Sequence, residues 1–186
     1  ITKIPTYIVL GTQPIIDGSE PRNEAFIWSE EIGLKPSHQK YYLPEEPGFW
    51  EATWYRRGPK EFKLETVNNI NLGFLICSEM WFTEHARAYA KEGIHLLACP
   101  RATERSTVDR WLAGGRAAAI MSGAFCLSSN KAGRNNDVDW GGCGWIIDPS
   151  GNVLATTNED EPFVTVEIDL EEAFKAKQTY PRYVKE

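Results

Sequence analysis

Apolar residues fall into short runs separated by polar, Gly- and Pro-rich stretches, and the pattern turns helical in two places. The opening run "PTYIVLG", β-branched and aromatic and closed by Gly11, predicts a buried strand. "TQPIIDGSEPRN" is dense in turn formers, and "EAFIWS" predicts a second strand, so the first forty residues read as a hairpin or meander. From Lys35 to Pro59 prolines, aromatics and acids alternate without a period, and four prolines predict a long ordered loop of the kind that usually carries function. Next, the continuous apolar run Ile70 to Cys77 predicts a strand buried on both faces. Thr83 is positioned to cap a helix through "EHARAYAKE", ended by Gly93, and "IHLLACP" predicts another buried strand. Ser106 with Asp109 resembles a capping box that opens the helix "TVDRWLAGGRAAAIMS", where Val108, Trp111, Leu112, Gly115 and Ala118 recur at helical spacing and Gly123 ends the run. Small residues in its second half predict close approach of another backbone. "AFCLSSN" and the two arms of "GWIIDPSGNVLATT" predict strands, the arms joined by a tight turn, and "PFVTVEIDL" predicts the last strand. This order indicates an α/β fold with a mixed sheet in a single domain spanning residues 1–186.

Composition narrows the function classes. Twenty Lys and Arg against 26 Asp and Glu leave a formal charge of −6, and no basic run exceeds the pair Arg56-Arg57, so neither nucleic acid nor an anionic membrane surface is an expected partner. No apolar stretch approaches the ~18 residues of a membrane span. The start lacks the pattern of a signal peptide, which predicts a cytoplasmic setting. Cys77, Cys99, Cys126 and Cys143 stand far apart, so reduced thiols are expected, and no spacing of Cys, His or carboxylates suggests a metal site or a cofactor. The chain begins at Ile1 inside a strand-like run, which reads as a possible fragment.

Cys77 closes a buried strand ahead of the polar step "SEM" and a helix, a position where a side chain projects at the mouth of a sheet and backbone N–H groups point at whatever it attacks. An inert core cysteine fits the same residue. A thiol needs a nearby cation or base to become a thiolate at neutral pH. Lys40 lies in the Pro-aromatic stretch and reads either as that cation or as an ordinary solvated lysine. Glu51, among aromatics in "GFWEATWY", reads as a desolvated base or as a carboxylate at the start of a helix. Cys143, between glycines in "GGCGW", suits a tight backbone approach better than catalysis. G-x-S-x-G is absent, which disfavours a serine hydrolase.

Lys40 in "HQKYYLPEEPGFWEA" followed by Cys77 in "NLGFLICSEMWFTEHARAYAKEGIHLLACPRAT" resembles the carbon–nitrogen hydrolase or nitrilase superfamily, whose members use a Glu–Lys–Cys triad. "FCLSSNKAG", "WGGCGWIIDPSGNVLATT" and "VTVEIDLEEAFKAKQTYP" extend the similarity over nearly the whole chain. The resemblance implies an α-β-β-α sandwich, incomplete at the N-terminus and amounting to about the last two-thirds of such a domain. Cys77 is then the nucleophile toward a small-molecule amide, carbamoyl or nitrile substrate. Lys40 and the backbone N–H of Ser78 face the oxyanion, and Glu51 orients the lysine and the attacking water. Asn23 matches a family asparagine, and the general-base glutamate lies ahead of the sequence given. Trp81 and Arg101 are candidates for the acyl pocket, with a surface salt bridge as the competing use of Arg101. Trp50, Trp54 and Tyr55 are either pocket walls or core. A homodimer or higher homo-oligomer, formed through the two helices after the nucleophile, is also implied. The alternatives are a catalytically silent binding or regulatory member, and a clipped subunit that needs a partner chain.

Overall fold

The structure, a computed structural model, describes residues 7–18, 20–135 and 138–185, and the chain divides into two compact units, Ile1–Glu61 and Phe62–Glu186.

In the first unit β1 (Val9–Asp17), β2 (Glu20–Ser29) and β3 (Gly33–Gln39) form an antiparallel meander. Asp17 pairs with Glu20, and Gly18 at φ 78 supplies the left-handed backbone that this tight turn demands. Along β2, Ala25, Ile27 and Ser29 are buried while Phe26 and Trp28 between them are half-buried, the period-two pattern of a strand. Three prolines assigned to turn and loop lie inside strands instead: Pro14 in β1, Pro21 at the start of β2 and Pro36 in β3. β1 and β3 are edges of the three-stranded sheet, where a missing N–H breaks no second ladder, Pro21 is the second residue of its strand, and a register shift between Glu24 and Phe26 relaxes the pairing beside Pro36. The rest of the expected loop carries the short pair β4 (Glu45–Glu46) and β5 (Phe49–Trp50), then the single helical turn α1 (Glu51–Trp54).

The second unit is built on a six-stranded sheet of β6 (Glu65–Val67), β7 (Ile70–Phe74), β8 (Leu96–Ala98), β9 (Phe125–Ser128), β12 (Trp145–Ile147) and β13 (Val153–Thr156), in the order β13-β12-β9-β8-β7-β6. The central strands β7, β8 and β9 are parallel and the flanking pairs antiparallel, so the sheet is mixed, as the sequence indicates. Helices α2 (Thr83–Lys91) and α3 (Val108–Ser122) connect the parallel strands and pack on each other, and a small hairpin of β10 (Ala132–Asn135) and β11 (Val138–Gly141) stands apart from the sheet. Leu75, Met80, Tyr89, Leu97 and Trp145 lie in the core.

Both expected helix caps are replaced. Thr83 is the first helical residue, behind Phe82, and Thr107 precedes α3 after a 3-10 turn (Arg105–Thr107), its hydroxyl donating to Glu104 O at 2.8 Å. The small residues of α3 admit aromatic rings rather than a backbone: a Cβ on Gly114 would meet Trp81 at 2.9 Å, and one on Gly115 would meet Trp145 at 2.6 Å. Gly123 ends α3 at φ 60, as expected. In "PFVTVEIDL" burial alternates residue by residue, yet no strand pairing forms there among the described residues. α4 (Leu170–Ala176) follows, capped by Asp169, which accepts from the Glu171 N–H at 3.0 Å.

Candidate active site

The first unit gathers three residues that are far apart in sequence. Lys40 follows β3, with its N–H bonded to Asn23 O at 2.9 Å, and its side chain is 1% exposed. Burying an ammonium is costly without a counter-charge. Here Glu51 at the start of α1 supplies it, through a direct contact between Lys40 Nζ and Glu51 Oε2, while the other carboxylate oxygen accepts from Asn23 Nδ2 at 3.4 Å. Lys40 is therefore not a solvated lysine, and Glu51 is both a helix-start carboxylate and the lysine's partner. Trp54 and Tyr55 line a cavity of about 270 Å³ together with Leu43, Arg56 and Arg57. Trp50 and Trp54 are 41% and 55% exposed, which removes core packing as their explanation.

The second unit holds Cys77. The extended segment beyond β7 reaches it through Leu75 and Ile76, with the Cys77 N–H donating to Pro100 O at 3.1 Å. At Cys77 the backbone swings to φ 50, a left-handed conformation that a residue with a Cβ adopts at a cost of about 1–2 kcal/mol, and the chain continues as a 3-10 turn (Cys77–Trp81). Glu79 braces this turn from a fully buried position: its Oε2 accepts the Ile76 N–H at 2.8 Å, and its own N–H donates to Ile76 O at 3.1 Å. The sequence signal for that brace is an acid two residues past the cysteine, between Ser78 and the buried Met80. Ser78 is half-buried next to the sulfur-bearing residue, and Trp81 is 43% exposed, its ring 4.9 Å from that of Trp111.

Arg101 follows β8. It is 7% exposed, so the surface salt bridge is replaced by a buried arrangement: Nε donates to Ser128 Oγ at 2.8 Å, Nη1 to Thr103 Oγ1 at 2.9 Å and Nη2 to Cys143 O at 2.6 Å. The guanidinium lies 3.8 Å over the Trp145 ring, and burial pushes its pKa down to about 10. The fold thus brings Cys77, Ser78, Trp81 and Arg101 into one unit, and Lys40 with Glu51 into the other.

All four cysteines are free thiols. Cys99 and Cys126 are sealed in the core, and a hydrogen bond that Cys99 donates to Cys126, together with burial, raises the Cys99 thiol well above its ordinary value. The histidines have structural partners. His38 bonds through Nδ1 to Glu61 O at 3.1 Å, His85 stacks on Phe62 at 3.6 Å, and His95 Nδ1 accepts the Asn71 N–H at 3.0 Å. Among the described residues no group of His, Cys, Asp and Glu is arranged to hold a metal, and no helix is long and apolar enough to cross a membrane.

The family model described as Carbon-nitrogen hydrolase matches residues 2–178. A 2-oxoglutaramate amidase of Bacillus subtilis (strain 168) is 26% identical over 175 residues, covering 94% of this chain and 66% of that protein. An N-carbamoylputrescine amidase of Solanum tuberosum is 26% identical over 157 residues, covering 76% of this chain and 51% of that protein. The crystal structure of a carbon-nitrogen hydrolase from Helicobacter pylori G27 superposes with a TM-score of 0.87 at 21% identity, over 94% of this chain and 66% of that one. At that identity the likeness shows the fold, a mixed α/β architecture. The chain spans about two thirds or less of the length of these relatives.

Proposed function

The chain belongs to the carbon–nitrogen hydrolase family, and from that premise we propose that it forms the nucleophile-bearing part of an amidase that cleaves small amides or N-carbamoyl amines through a Cys77 acyl-enzyme. The observation that carries this reading is Cys77 itself, half-buried at φ 50 at the end of a parallel strand and held there by the buried carboxylate of Glu79. A strained conformation fixed by a dedicated brace is the mark of a functional position rather than of an inert core thiol.

The chemistry runs as follows. The Cys77 thiolate adds to the amide carbon, the oxyanion meets the Ser78 N–H, with Lys40 in the oxyanion role that the family resemblance gives it, and collapse expels ammonia or an amine after it takes up a proton. Water then attacks the thioester, releasing a carboxylic or carbamic acid and regenerating the thiol. Lys40 suits its part because Glu51 and Asn23 fix it in one direction. Trp81 is assigned to the substrate side, and the general base to a glutamate not among these residues. Amidase names among the relatives favour amides over nitriles. A reducing, cytoplasmic setting, a single domain and a homodimer complete the reading.

The test is a panel of amides, N-carbamoyl amines and nitriles, followed by ammonia release. Cys77→Ala and Lys40→Met should each lower turnover, the lysine variant by about 10²–10³-fold if it removes an oxyanion donor. Undiminished turnover in Cys77→Ala would reject the assignment.

A further inference from the structure

The reading of Cys77 as nucleophile leaves open what holds its charge, and the inference here rests on that reading. β7 and β8 are parallel with Phe74 opposite Ala98, and the ladder continues beyond both strands: Leu75 N–H donates to Ala98 O at 3.0 Å and Cys77 N–H to Pro100 O at 3.1 Å. Carried on by the same offset of 24 residues (98 − 74), this register sets Cys77 across from Arg101. On its other side Arg101 bridges to Asn130, beyond β9.

The Arg101 guanidinium is a buried cation whose hydrogen-bond acceptors are neutral: two hydroxyls and one carbonyl. Exposed Arg105, by contrast, has Asp139 at 3.1 Å and a direct contact to Glu159. A cation moved out of water without an anion costs several kcal/mol in an ordinary core, so such a group calls for a counter-charge that ionises nearby. The groups that oppose the burial effect on Arg101 are all thiols: Cys99, Cys77, Cys143 and Cys126. Cys99 and Cys126, from the β8 and β9 sides, are hydrogen-bonded to each other, which with Trp145 and Arg101 lowers the Cys126 thiol, but both are sealed in the core away from any substrate. The thiol of Cys143, ahead of β12, is raised by burial in spite of Arg101, which pulls it down, and Asp109 of α3 adds to the rise. Glu79, on the same turn as Cys77, spends its Oε2 on the Ile76 N–H. Cys77 remains, half-buried where the chain turns out of the sheet.

We propose that Arg101 is a positioning residue that acts through Cys77, holding its sulfur as a thiolate after the thiol proton has left to water or base, instead of gripping the substrate. Planar, fixed by three hydrogen bonds and stacked on Trp145, it presents its charge without moving.

The test follows alkylation of Cys77 by iodoacetamide against pH, with the Cys77 peptide read by mass spectrometry so that the other thiols do not contribute. Lys40 is left unchanged throughout. In the unmodified protein the midpoint should fall below the ~8.5 of an ordinary thiol. Arg101→Gln should raise it by about 1–2 units, which lowers the rate at neutral pH by about 10–100-fold, while Arg101→Lys, keeping the charge, should stay much closer to the unmodified value. An unmoved midpoint in a folded Arg101→Gln protein overturns the proposal. So does an unmodified protein whose midpoint lies at or above ~8.5, a result that needs no variant to fold. Ammonia release that survives Cys77→Ala would instead reject the nucleophile reading, so the two failures are distinguishable.

Discussion

Removing the two partners of the Lys40–Glu51 pair should have unequal effects, and the inequality follows from their burial. Lys40 is 1% exposed and Glu51 20% exposed. Glu51→Ala leaves an ammonium in the interior with no counter-ion, for which about 3–5 kcal/mol of stability is lost. Lys40→Met leaves a carboxylate that still reaches water and the Asn23 amide, and the methionine fills the vacated space, so the loss should stay below about 2 kcal/mol. The double variant, with an apolar residue at each position, should be less destabilised than Glu51→Ala alone, giving a coupling of about 1–3 kcal/mol in a double-mutant cycle. Urea unfolding followed by tryptophan fluorescence, with Trp28 and Trp54 in the same unit as reporters, measures all four proteins. For a chain of this size each kcal/mol corresponds to about 2–4 °C in Tm. A Glu51→Ala protein within 1 kcal/mol of wild type, or one more stable than Lys40→Met, would refute the view that burial of the ammonium makes Glu51 indispensable.

Three other expectations follow. Cys77→Gly should be more stable than Cys77→Ala by about 1 kcal/mol in chemical denaturation, since glycine alone adopts φ 50 without steric cost; equal stabilities would mean that the turn is unstrained. Gly115→Ala should lower Tm, because the new Cβ meets the buried Trp145 ring at 2.6 Å and overpacking of ~1–3 kcal/mol outweighs the ~1 kcal/mol gained in helix propensity; an unchanged or raised Tm would show that the ring gives way. Burial, with Lys177 adding to it, lowers the pKa of His95, and its Nδ1 accepts the Asn71 N–H. The unfolded chain therefore takes up this proton first, so the stability contributed by neutral His95 is present at neutral pH and is lost as pH falls through the ordinary histidine value of ~6.5 and then the lower folded value. Thermal melts between pH 7.5 and 5.5 should show a shallower decline in His95→Gln than in wild type.

The parallel centre of the second unit was legible because strands buried on both faces write themselves as unbroken apolar runs, and Ile70 to Cys77 is one. Pro14 and Pro36 misled because a proline breaks a strand only where its N–H has a partner, and nothing local tells an edge strand from a central one. The alternating stretch before α4 shows the converse: its burial pattern is that of a strand, but pairing depends on a neighbour that the pattern does not encode. At the site, Lys40 and Glu51 could be matched by resemblance, whereas their contact through a one-turn helix depends on the folded loop. For Arg101 the sequence leaves a pocket role and a surface salt bridge both open, because a charged residue after a strand is usually exposed; its burial comes from Ser128, Thr103, Cys143 and Trp145, all distant in sequence or unremarkable in type.

The most direct measurement of the central claim is peptide-resolved mass spectrometry of the protein acid-quenched within the first turnovers on an amide that it hydrolyses. The account predicts the acyl group's mass on the Cys77 peptide and its disappearance in Cys77→Ala along with ammonia release. An acyl group on Cys143 or elsewhere, or turnover with no adduct on Cys77, would contradict it.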